Sequence, residues 1–123
     1  NLPIMTTGKL VDVIKSAVPP NYERGRIHPA TRTFLALRIF VNRELDNLKE
    51  ILDILPKDMK NGGRVAIISF NSLEDRITKH SFIELVKDKR AEFLIKKPIQ
   101  PKNGETWLNP RARSAKLRAI KFL

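Results

Sequence analysis

Cysteine is missing from this 123-residue chain altogether, histidine occurs twice, and tryptophan and tyrosine occur once each. Without cysteine there is no disulfide framework, no thiolate nucleophile and no cysteine-ligated zinc or iron–sulfur site. His28 and His80 stand far apart, with no supporting ligands at metal-binding spacing. No apolar run approaches the length needed to span a bilayer. No Ser–His–acid set, paired-carboxylate spacing or glycine-rich phosphate loop is present. Gly62-Gly63 reads as a turn, because it precedes an apolar run, whereas a dinucleotide motif follows one. Repeats and low-complexity stretches are also missing.

Acidic residues are scarce as well. Thirteen Asp and Glu face twenty-four Lys and Arg, a net charge of +11. The excess is concentrated late in the chain: Lys96, Lys97, Lys102, Arg111, Arg113, Lys116, Arg118 and Lys121 are opposed between 96 and 123 by Glu105 alone. Such a tail is a polyphosphate footprint, since neutralising phosphates releases condensed counterions; the bland alternative is a solvated, soluble surface. The 41% hydrophobic content excludes wholesale disorder and suffices for the core of one domain. The chain opens on Asn1-Leu2-Pro3-Ile4 with no initiator Met and no secretory pattern. It is therefore expected to be a piece of a longer, cytoplasmic protein.

Periodicity predicts the elements. Thr6 and Thr7 precede Leu10, Val13, Ile14, Ala17 and Val18, a short amphipathic helix stopped by Pro19-Pro20. Residues 19–28 read as a loop exposing Tyr22, Arg24, Gly25 and Arg26. A long helix is expected from Pro29 to Leu55, with His28 near its N-cap. Phe34, Leu37, Val41, Leu45, Leu48, Leu52 and Leu55 supply one buried face. Residues 64–70 suit a strand covered on both faces in a parallel sheet. A helix follows to Lys87, with Ser72 and Asp75 as a loose capping box. A second strand starts at Phe93, and 102–110 is a loop whose Trp107 is expected to plug the core. A last strand, 115–122, has the mixed polarity of a half-exposed or edge-proximal position.

Three clusters carry candidate chemistry. Thr31 and Arg32 sit in the first turn of the long helix, where backbone N–H groups and the macrodipole attract anions. Asn71, Ser72, Glu74, Asp75 and Arg76 crowd the turn after the apolar strand, where ligands bind in open α/β sheets. Capping explains Ser72, Glu74 and Asp75 there but leaves Asn71 and Arg76 without a structural reason. Arg111 and Arg113 alternate on what is expected to be extended backbone, with Ser114 opposite, and their planar forks suit phosphate or a base edge. Trp107 upstream has stacking on an unpaired base as its alternative role.

Four strings together resemble the C-terminal part of the MraW/RsmH-type 16S ribosomal RNA (cytosine-N4)-methyltransferases. They are His28-Pro-Ala-Thr-Arg-Thr-Phe-Leu-Ala-Leu-Arg-Ile, Gly62-Gly-Arg, Ile68-Ser-Phe-Asn-Ser-Leu-Glu-Asp-Arg and Asn109-Pro-Arg-Ala-Arg-Ser-Ala-Lys-Leu-Arg, in family order and approximate spacing. The resemblance implies an α/β fold, the C-terminal half of a class I (Rossmann-like) methyltransferase sheet with the end of a helical insert. Residues 1–20 would close that substrate-recognition insert, and 21–123 would belong to the catalytic domain. The 64–70 run would be the fifth strand. The implied activity is methyl transfer from S-adenosylmethionine to N4 of a cytidine in small-subunit ribosomal RNA. No membrane is implied, and a homodimer is an open alternative.

On this template His28, Thr31, Arg32, Asn71, Ser72 and Arg76 would face substrate, and Arg111, Arg113 and Ser114 would hold the RNA strand. Asn71 departs from the family, which usually carries His there, and Asn cannot act as a base at neutral pH. The family's cofactor site and main active-site loop lie in its N-terminal half, so this chain alone is expected neither to bind S-adenosylmethionine nor to be active. The alternatives are a non-catalytic basic RNA-binding module and, more remotely, a scaffold in ribosome assembly.

Overall fold

The computed structural model describes residues 3–22 and 27–123; Arg24, Gly25 and Arg26, expected to be exposed, lie outside them. The chain divides into two compact units, Asn1–Glu44 and Leu45–Leu123.

The first unit holds helices α1 (Thr7–Ala17) and α2 (Thr31–Asn42). Thr6 caps α1, its side chain accepting from the Lys9 amide at 3.2 Å. Val18 is extended ahead of Pro19, whose ring disfavours helical backbone in the preceding residue. The single helix expected from 29 to 55 is broken. Arg43 adopts a left-handed conformation (φ 53°), and its amide bonds back to the carbonyls of Ile39 and Phe40. Glu44 fixes this corner: Arg38 donates Nε to Oε1 at 2.9 Å and Nη2 to Oε2 at 3.1 Å, and Asn42 Nδ2 also donates to Oε1. The apolar stripe is therefore split, and its early members Leu37 and Val41 are exposed.

The second unit holds α3 (Glu44–Asp58) from Leu45 onward; its Leu52 is buried, with Leu48 and Leu55 packed around the same core. Met59 to Gly63 then turn the chain into β1 (Arg64–Ser69). Gly62 has φ 82°, and a Cβ at Gly63 would stand 2.7 Å from Met59 Cε and 2.8 Å from the Lys60 carbonyl oxygen. Both positions need glycine, the first for its dihedral and the second for space. Helix α4 (Ser72–Lys87) follows, then β2 (Ala91–Phe93), the short α5 (Asn103–Leu108), a 3₁₀ turn over Pro110–Ser114, and β3 (Lys116–Phe122). The segment 102–110, read as a loop, is thus largely helical.

The sheet order is β1-β3-β2, with β3 antiparallel to both neighbours. This corrects two expectations. Among the described residues β1 is covered on one face and pairs only with an antiparallel neighbour: Val65 and Ile67 pack on the core and Ser69 is buried on the same face, whereas Arg64, Ala66 and Ile68 are exposed on the other. β3 is the middle strand, which removes the edge-proximal alternative, while most of its residues are half-buried as its mixed polarity suggests; Ile120 and Phe122 are buried in the core with Leu52, Phe82, Leu85 and Ala91. The second strand also ends at Phe93 instead of beginning there, though Ile99 forms an isolated bridge with Leu117. Among the described residues no helix is long and apolar enough to cross a membrane.

Candidate nucleic-acid interface

β1 delivers the chain to the turn Ser69–Ser72 at the same end of the sheet where the 3₁₀ turn feeds β3, because Ser69 is the register partner of Lys116. The Asn71–Arg76 cluster and the Arg111–Ser114 cluster, forty residues apart, are thereby brought to one end of the sheet. This is the carboxyl end of β1, where open α/β sheets place ligands.

Asn71 is the N-cap of α4. Its Oδ1 accepts from the amides of Leu73 (2.9 Å) and Glu74 (3.0 Å), while Glu74 Oε2 accepts from the Phe70 and Asn71 amides. The capping box is therefore Asn71–Glu74 instead of Ser72–Asp75. Asn71 thus has the structural reason that the sequence left open. Its Nδ2 is buried without a partner among the described residues, as are the hydroxyls of Ser69 and Thr78. Ser72 and Arg76 are exposed.

Asp75, freed from capping, turns inward and is 8% exposed. Arg118 grips it with Nε to Oδ1 at 2.8 Å and Nη2 to Oδ2 at 3.2 Å, and Lys116 Nζ reaches Oδ2 at 3.2 Å. The hydrogen bond from Arg118 holds the Asp75 carboxyl below the usual carboxylate range, against the opposing effect of burial, with Lys116 adding to it. Sequence reasoning missed this cluster, although Lys116 and Arg118, two apart on a strand, necessarily share a face. Two of the cations counted toward a phosphate footprint are thereby satisfied internally. A third, Lys121, pairs with Glu92 at 3.2 Å.

Arg111 and Arg113 do not alternate along an extended strand: they lie in the 3₁₀ turn capped by Asn109, whose Oδ1 accepts from the Arg111 amide. Ala112 between them is buried, and Arg111, Arg113 and Ser114 are exposed. Trp107 is 81% exposed and plugs no core.

His28, Thr31 and Arg32 belong to the first unit. Ala30, not His28, is the N-cap of α2 and carries no side-chain cap; His28 Nδ1 instead accepts from the Ala30 amide at 3.2 Å. Thr31 and Arg32 occupy the first turn and are exposed.

The turn from β1 into α4 is not built as a cradle for a nucleoside cofactor. It lacks glycine, and Asn71 already occupies its Leu73 and Glu74 amide donors. A cavity of about 170 Å³ lies among Lys79, Phe82, Ile83, Phe93, Lys96 and Arg118, and one of about 250 Å³ lies beside Lys49, Asp53, His80 and Glu84. Both are below the size usual for such ligands, roughly 300 Å³ upward. No group of three or more His, Cys, Asp or Glu that could hold a metal occurs among the described residues.

Comparison with known proteins places these features in a family. The family model described as the MraW methylase family matches residues 1–123. A ribosomal RNA small subunit methyltransferase H of Trichodesmium erythraeum is 54% identical over 121 residues, which are 98% of this chain and 42% of that protein. The protein of the same name from a Synechococcus species is 54% identical over 94% of this chain and 35% of its own length. That of Solibacter usitatus is 48% identical over 98% and 41%. The chain thus spans about two fifths of the length of the curated relatives it matches. With the match running from the first residue to the last and including both polar clusters at the end of the sheet, the chain belongs to the MraW methylase family.

Proposed function

We propose that this chain is the substrate-side part of an S-adenosylmethionine-dependent methyltransferase that modifies N4 of a cytidine in small-subunit ribosomal RNA, in the cytoplasm. The observation that carries the reading is the end-to-end family match at about half identity, joined to exposed, unspent cations at the carboxyl end of β1.

The sheet supports a finer reading of the fold. An antiparallel β3 lying between β1 and β2, with α4 crossing from one to the other, fits the last three strands of a class I methyltransferase sheet. β1 has no partner on its other edge among the described residues. Ile68, Leu94 and Ile99 are exposed, and Leu117 and Ala119 join them on the face away from α4. An apolar edge of this kind favours burial under further sheet and helix. We assign that cover, together with the cofactor cradle, to residues beyond this chain, and residues 1–20 to the end of the substrate-recognition insert.

S-adenosylmethionine would supply the electrophilic methyl group. The residues of this chain would bind and orient RNA: in the second unit Arg111 and Arg113 on phosphates, with Ser72, Ser114 and Arg76 along the strand; in the first unit Thr31 and Arg32 would supply an anion contact of their own. Asn71 would act as a positioning residue: a carboxamide is no base at neutral pH, and its oxygen already accepts two backbone bonds.

The test is methyl transfer by the full-length protein, with labelled S-adenosylmethionine and unmodified small ribosomal subunits, read by nucleoside mass spectrometry. N4-methylcytidine is expected. RNA binding without any methylated nucleoside would favour the non-catalytic module instead.

A further inference from the structure

Trp107 packs into no core. It is 81% exposed, and its neighbour Leu108 is 78% exposed, at the end of α5. Trp107 and Leu108 together form an apolar patch in a polar surround, and such rimmed patches mark interaction sites.

The segment that carries it leads directly into the sheet. Within α5 the Thr106 amide bonds to the Lys102 carbonyl and the Asn109 amide to the Glu105 carbonyl. Asn109 then caps the 3₁₀ turn, Ala112 is buried, and the Ala115 amide bonds to the Ala112 carbonyl just before β3 begins. The indole therefore stands on a short stem rooted in the middle strand of the sheet.

Its surroundings indicate the partner. Lys102, Arg111 and Arg113 are exposed and make no side-chain hydrogen bond or ion pair among the described residues. Arg118 and Lys116 are spent on Asp75, and Lys121 on Glu92. Glu105 is the one acidic residue between 96 and 123. The charge selects an anionic polymer over an apolar protein surface, and the ring selects one whose bases are unstacked, since a duplex hides base faces.

We propose that Trp107 is a stacking platform for an unpaired base of the RNA substrate, with Arg111 and Arg113 holding the neighbouring phosphates. This deepens, and rests on, the RNA-methyltransferase reading. Stacking supplies affinity that does not depend on salt, while the arginines supply the part that does.

The test compares full-length wild type, Trp107→Ala and Trp107→Phe on a single-stranded RNA oligonucleotide and on a duplex RNA of equal length, across a salt series. Trp107→Ala is expected to weaken single-strand binding roughly ten-fold. Its salt slope and its affinity for the duplex should stay unchanged, and Trp107→Phe should retain most of the affinity. The tryptophan emission missing from Trp107→Phe should be quenched in wild type when the single strand is added. Wild-type affinity in Trp107→Ala, or equal losses on both RNAs, would overturn the stacking role while leaving RNA binding intact. Failure of the wild type to bind either RNA would remove the underlying reading as well.

Discussion

Arg118 holds Asp75 through two parallel hydrogen bonds, Nε–Oδ1 at 2.8 Å and Nη2–Oδ2 at 3.2 Å, across a sequence separation of 43 residues. The pair ties the first turn of α4 to the middle strand of the sheet at the end where the polar clusters meet. Their side chains are 11% and 16% exposed, so neither has much water to fall back on.

Asp75→Ala should therefore strand a mostly buried guanidinium. The expected loss is about 3 kcal/mol of unfolding free energy, measured by urea denaturation of the full-length protein. Asp75→Asn keeps the shape but not the charge and should lose nearly as much. A loss confined to a few tenths of a kcal/mol would mean that Arg118 finds solvent once Asp75 is gone.

Acid should have a related effect. The Asp75 carboxyl is held below its ordinary value, chiefly by the hydrogen bond from Arg118. Its contribution is then fully present above the unfolded carboxylate value, about 3.9, and disappears as pH falls through the lower folded value. Wild type should lose stability more steeply than Asp75→Asn below about pH 4, visible as converging midpoints in thermal melts. Parallel curves would show that the pair does not titrate on unfolding.

Asn71→Ala removes the acceptor for two amides at the start of α4 and should cost about 1 kcal/mol. Asn71→Asp preserves the cap and adds a charge favourable to the helix dipole, so it should match wild type in stability. The two variants separate capping from substrate contact: methyl transfer that falls in Asn71→Asp at unchanged stability would reveal a direct role for the amide group.

Replacing Arg111 and Arg113 together by Ala should weaken RNA binding and flatten its salt dependence. For two lost phosphate contacts on a single strand, the log–log slope should fall by about 1.4. An unchanged slope would assign both arginines to structure.

Calorimetric titration of S-adenosylmethionine into the 123-residue chain should show no binding, since the turn into α4 has no glycine and its Leu73 and Glu74 amides are already occupied. Micromolar affinity would place the cofactor cradle within these residues after all.

Local signals were readable because they act over a few residues. The Thr6 start and the Pro19 stop of α1, the Gly62-Gly63 turn, the apolar run of β1 and the extent of α4 all follow from caps, prolines, glycines and period. The break at Arg43 was not readable, because an unbroken apolar stripe hides a corner fixed by the Arg38–Glu44–Asn42 contacts. Trp107 was misplaced for a similar reason: a lone Trp usually finds a core, and only the fold shows that this one does not.

The sequence by itself determined the family, through strings too long and too ordered to arise by chance, and the basic character of the last thirty residues. Only the tertiary structure decided which of those charges are available. Strand register sets Lys116 opposite Ser69 and points Arg118 at Asp75, so cations that look alike in the chain divide into those paired within the fold and those left exposed. That division depends on pairing between residues some forty positions apart, which no local pattern encodes.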